Sequence, residues 1–211
     1  MKFLHISPFV LLLSIQSLQA NSPTVIGDYY VGFGYQHYNG DGYDGNAIGI
    51  DSNLALHQNF DISTTLSYGQ LSDDFIDLNR LALSIGFRGH NKFDLGNGSS
   101  IDPYINFTLG ILYTEVLDVQ YIGFTPYLYI VDELYIPYNF SIGSEFKLGQ
   151  FFSLIPYLGF GGILNESEAD TTGYFGLMTN FFIGDYFSLS LNLRGDSDDG
   201  TALGLGLRYH M

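Results

Sequence analysis

Cysteine is absent from the 211-residue chain, which excludes a disulfide framework and a lipid anchor on an N-terminal cysteine. Charge is scarce as well: Asp, Glu, Lys and Arg make up 14% of the residues, against about 25% in ordinary soluble domains. Bases are the scarcest of all, with seven Lys and Arg facing 22 Asp and Glu for a formal charge of −15, so nucleic acid is excluded as a partner. Long apolar runs are missing too. No stretch reaches the roughly 20 consecutive apolar residues that a membrane-spanning helix needs, and any insertion into a bilayer must be made with strands.

The N-terminus reads as an export signal. Lys2 supplies a positive start, residues 9–15 an apolar run broken only by Ser14, and Leu18-Gln19-Ala20 a small-residue cleavage site. Residues 1–20 are therefore expected to be removed, leaving 21–211 as one domain with six bases against the same 22 acids.

What the chain has in quantity is aromatic residues and glycine: 17 Tyr, 18 Phe and 26 Gly. They are set in an alternation of period two, the mark of a strand with one apolar face. The last 26 residues show it most plainly. Phe187, Leu189, Leu191 and Leu193 alternate with Ser188, Ser190, Asn192 and Arg194, an acidic turn follows at 196–200, and Leu203, Leu205, Leu207 and Tyr209 alternate with Gly204, Gly206, Arg208 and His210. The same rule holds from Ile26 onward, in segments of about ten residues separated by short turns or by longer acidic connections. It gives about ten strands, with eight or twelve as the neighbouring counts. A water-soluble sandwich would need a second sheet to bury the apolar faces and would put more Lys and Glu on the polar ones, which here are mostly Gly, Ser, Thr and Asn. In hydrocarbon every backbone N–H and C=O must be paired within the protein, so such strands can span only as a closed antiparallel up-and-down barrel.

Pro103-Tyr104-Ile105-Asn106-Phe107 and Pro156-Tyr157-Leu158-Gly159-Phe160, each opening a strand, and the terminal Gly204-Leu205-Gly206-Leu207-Arg208-Tyr209, together with the signal, make the chain resemble the small outer-membrane β-barrel proteins of Gram-negative bacteria, the porin-like and OmpA-like group. The resemblance implies residence in the outer membrane, among its lipid and lipopolysaccharide, after insertion by the outer-membrane insertion machinery. That family usually ends on an aromatic residue, whereas Tyr209 is followed here by His210 and Met211.

Strand parity turns Asp28, Asp51, Asp61, Arg80, Arg88, Glu145, Lys147, Arg194 and Arg208 into the lumen, and an ionic network near the periplasmic ends of the strands is the expectation. The least loop-like connection, residues 116–135, carries apolar segments on either side of Gly123-Phe124-Thr125-Pro126. It predicts a β-arm continuing two strands past the membrane, with Tyr121, Phe124, Tyr127 and Tyr129 as a candidate extracellular contact surface. Signs of catalysis are few. His37 lies near Asp41 and Asp44 at an outer strand end, with no matching serine or second carboxylate pair, and the acidic turns lack the spacing of a calcium loop. No catalytic residue, metal ligand or cofactor is assigned. The expected function is that of a non-enzymatic barrel, structural or a narrow porin-like channel for small solutes. The alternative is a barrel binding a surface ligand or lipopolysaccharide, or mediating adhesion, through its extracellular loops.

Overall fold

The computed structural model describes residues 29–40, 43–72, 77–122, 125–165 and 171–211. Among them there are twelve strands and no helix: β1 (Tyr30–Gly40), β2 (Tyr43–His57), β3 (Phe60–Ser72), β4 (Asp77–His90), β5 (Phe93–Gly96), β6 (Ser99–Ile122), β7 (Thr125–Tyr135), β8 (Pro137–Leu148), β9 (Phe152–Ile163), β10 (Thr172–Ile183), β11 (Phe187–Asp196) and β12 (Thr201–His210). Ten of them form a closed antiparallel ring, which β1 completes by pairing with β12 from Tyr30↔His210 to Asn39↔Thr201. β5 and β7 stand outside the ring, each paired with β6.

The stagger of the ring follows from its registers. A row leaving Tyr174 passes through Gly159, Ser141, Asn106, Arg88 and Asp61 to Ala55, level with the start of β1. Followed the other way, the same row passes Asp196 and meets β1 at its far end. The two arrivals are about 12 residues apart, and for ten strands spaced about 4.8 Å that stagger gives a tilt of about 40° and a radius of about 10 Å. Side chains from opposite walls can meet across such a space.

The alternation holds in three dimensions. Odd-numbered residues of β1 (Val31, Phe33, Tyr35) are exposed and even ones (Tyr30, Gln36, Tyr38) are buried; in β12, Leu203, Leu205 and Leu207 are exposed while Ala202, Arg208 and His210 are buried. The exposed apolar side chains form a continuous outer belt, and the buried set is largely polar, the inverse of a water-soluble core. Aromatics edge the belt on both sides, with Tyr29, Phe60, Phe181, Phe187 and Tyr209 near the chain ends and Tyr35, Tyr68 and Tyr138 at the other rim. The end bearing the termini has the tight turns at 58–59, 149–151 and 184–186, and by the rule of short inner turns it faces the periplasm.

Two segments differ from the sequence reading. Residues 89–100, a polar and glycine-rich stretch whose composition reads as a connection, contain β5, which turns back on the start of β6 through Gly96, Asn97 and Gly98 at φ of 84°, 53° and 76°; consecutive left-handed residues make a tight turn. The second strand of the arm, expected to run on unbroken into the barrel, is interrupted at Ile136 into β7 and β8, because Pro137 has no N–H to continue the ladder.

Candidate functional site

The lumen is built from pairs of large and absent side chains. Tyr38 lies across from Gly45, Tyr174 from Gly159, Tyr157 from Gly176, and Gly143 has Tyr104 on one side and Tyr157 on the other. A Cβ on Gly143 would come within 2.6 Å of the Tyr104 hydroxyl, and one on Gly176 or Gly159 would strike the opposing ring. Gly143, Gly159 and Gly176 thus each let a neighbouring phenol lie along the inner wall, whereas the space at Gly45 is taken by Leu71. The Tyr157 hydroxyl donates to Asn192 Oδ1 at 3.0 Å, the Tyr174 hydroxyl donates to Asn139, and the Arg194 guanidinium lies 3.6 Å over the Tyr174 ring.

Below this aromatic layer, toward the periplasm, the ionisable side chains gather. Arg88 lies 3.7 Å from Asp61, and His90 reaches both Asp61 at 3.6 Å and Asp102 at 3.0 Å. Arg208 Nε donates to Asp51 Oδ2 at 3.4 Å, its Nη1 donates to Asn180 Oδ1 at 3.2 Å, and its guanidinium lies 5.1 Å over Tyr30. Lys147 sits over Phe182 at 4.8 Å. Glu145, on β8, is buried at the level of Asp102, its partner position across the β6–β8 ladder. Four acids and four bases, counting His90, occupy one layer. Mutual pairing is what keeps so many charges tolerable there, since a lone buried ion costs several kcal/mol.

Of the residues assigned to the lumen by parity, Asp51, Asp61, Arg80, Arg88, Glu145, Arg194 and Arg208 are all inside and none is more than 5% exposed; Lys147 is half-buried, and Asp28 lies outside the described residues. The structure brings together Asp61 with Arg88 and Asp51 with Arg208, and sets Arg80 and Arg194 apart in the outer half. Asp102 and His90 were not in that set. Asp102 has the parity of Tyr104 and Asn106, and His90 that of Arg88, so extending each strand by one inward position would have found both.

No protein-family model and no curated protein matches the sequence. Solved structures do match. The chain is similar to the β domain of the Bordetella autotransporter BrkA, with 12% identity over 87% of this chain and 99% of that one and a TM-score of 0.53. It is similar to an outer membrane channel from Pseudomonas putida F1, with 13% identity over 90% of this chain and 100% of that one and a TM-score of 0.52. The translocator domain of the autotransporter NalP from Neisseria meningitidis matches at 12% identity over 94% of this chain and 93% of that one, with a TM-score of 0.50. At these identities the likeness is one of fold. The fold is that of an outer-membrane β-barrel.

Among the described residues, the outer surface of this outer-membrane barrel carries acids and no Lys or Arg. Of the bases beyond Lys2, Arg80, Arg88, Arg194 and Arg208 are buried in the lumen, Lys147 lies near its periplasmic mouth, and Lys92 pairs with Asp94 at the periplasmic end. From that surface rises the β6–β7 arm, whose backbones pair without a slip from Leu112↔Tyr135 to Ile122↔Thr125. Along it Gln120 pairs with Tyr127, Asp118 with Tyr129 and Tyr121 with Pro126; Phe124 lies outside the described residues. His37, the residue considered for catalysis, lies on the outer face of β1 with Nδ1 3.2 Å from Asn46 Oδ1 and 3.6 Å from Asp44, and Asp41 is outside the described residues.

Proposed function

We propose that this outer-membrane barrel is closed at rest and serves as a platform that anchors its acidic outer surface and β-arm in the membrane. The observation that carries the reading is the burial of the lumen charges: a water-filled path would wet the charged side chains along it, and here none of the eight most deeply placed ones exceeds 5% exposure. A ten-strand ring with a radius of about 10 Å is narrow enough for side chains from both walls to fill it. The belt is in contact with outer-membrane lipid and lipopolysaccharide, and the barrel reaches it through the outer-membrane insertion machinery. Reconstitution in planar bilayers tests closure. Silence under voltage is expected, and discrete open levels from the wild-type chain would contradict it.

The second reading is a narrow channel for small solutes. One wall favours it: Gly34, Ser190, Asn192, Gly204 and Gly206 line a small internal gap beside Asp51 and Arg208. The channel from Pseudomonas putida has the same fold.

A further inference from the structure

The arm leaves a sheet edge that the described chain covers only at its base. β7 is paired with β6 alone, over eleven residues and without a bulge. Natural edges of that length are blunted by lysine, by a bulge or by an interior proline. β7 has no Lys or Arg, and its one proline, Pro126, is next to its first residue.

The chain itself begins to fill this edge. Leu164 N–H donates to Ile136 O at 2.9 Å as β9 ends. The Asn165 carboxamide then accepts from Ile136 N–H at 2.8 Å and donates to Leu134 O at 2.8 Å. In a continued strand those two positions would be filled by the main-chain groups on either side of residue 165. Above Leu134, no strand among the described residues carries the pairing on.

We propose that the free edge of β7, from Glu133 toward Thr125, is a strand-addition site for an extended basic peptide segment. Main-chain bonds to the edge give affinity, and side chains at alternate positions give selectivity. Charge selects the occupant. Asp132 and Glu133 are adjacent and so lie on opposite faces of the arm, both exposed, and Glu115 is the cross-strand partner of Asp132. Basic residues at successive positions of an incoming strand would meet an acid on each face. A second copy of this chain would bring the same acids to the same edge, and an anionic lipid surface would be repelled.

The inference rests on the reading of the barrel as a surface platform, and its test is separable from that of closure. The probe is a labelled peptide of about eight residues built of Lys-Lys and Val-Val pairs, which presents Lys on both faces, titrated by fluorescence anisotropy against the refolded full-length barrel in neutral detergent. Saturable one-to-one binding is expected, about tenfold tighter than for the Glu/Val counterpart. Asp132→Asn with Glu133→Gln should weaken it by a similar factor while leaving the heat-modifiable gel mobility of the folded barrel unchanged. N-methylation of alternate peptide amides should abolish binding, since it removes the main-chain donors and keeps the charge. Equal binding of the methylated peptide would reduce the effect to charge attraction and overturn the proposal. So would self-association of the barrel through the arm that excludes the peptide, or equal binding to a variant with residues 117–130 replaced by a short Gly/Ser turn. Bilayer silence without peptide binding would remove the strand site and leave the closed barrel standing, and conductance with peptide binding would do the reverse.

Discussion

Arg208 is held from β1, β2 and β10 at once, through the ring of Tyr30, the carboxylate of Asp51 and the amide of Asn180. Removing it strands Asp51 in the barrel interior, so Arg208→Ser is expected to lower stability by about 3–5 kcal/mol, read as a shift in the urea midpoint for unfolding from lipid vesicles. The double change with Asp51→Asn should recover part of that loss; a double variant less stable than the single one would show that the pair is not coupled. The glycine beneath the Tyr104 phenol is a second such point. Gly143→Val has nowhere to put its side chain between the Tyr104 phenol and the Pro156 carbonyl, and a cost of about 1–3 kcal/mol from overpacking is expected, against little change for Gly89→Ala, where a Cβ meets nothing. Inward parity was legible at most of these positions because period two assigns a face to every residue of a strand. The tyrosine–glycine pairs were not, since Tyr104 and Gly143 meet only through a register between strands about 40 residues apart, which no local pattern encodes.

At the scale of elements, lipid is what made the strands readable. A side chain such as Leu205 has hydrocarbon on one side and the lumen on the other, so the alternation cannot slip by a residue without exposing polar groups to the bilayer. Leu205→Arg, in the middle of the belt, should therefore cost about 2–4 kcal/mol, measured as the folded fraction on insertion into lipid vesicles. Wild-type folding of that variant would mean that the facing is wrong. The arm was legible for the same reason, as a β-rich segment around a Gly/Pro turn, and β5 was not, because a four-residue strand built on left-handed Gly96, Asn97 and Gly98 carries no periodicity to read. Hydrogen exchange on the refolded barrel should show amides from Val119 to Ile122 protected together with those from Leu128 to Val131. Fast exchange across both would mean that the ribbon does not persist once it leaves the ring.

For the molecule as a whole, charge is sorted by compartment. Every base beyond Lys2 lies in the lumen or at the periplasmic end, while among the described residues the outer connections carry acids and no Lys or Arg. Composition showed the shortage of bases, but only the fold shows where the few are spent: Arg88, Lys147 and Arg208, with His90, balance Asp51, Asp61, Asp102 and Glu145 in one layer, and the phenols of Tyr104, Tyr157 and Tyr174 occupy the space next to it. Layers of that kind close a ten-strand ring from wall to wall. Conductance of the refolded protein in planar bilayers tests this most directly. A barrel closed in this way should leave the membrane silent under applied voltage while its folded state is verified in the same preparation. Discrete, reproducible open levels from the wild-type chain would contradict closure and make the glycine-lined wall beside Asp51 and Arg208 the route of a channel.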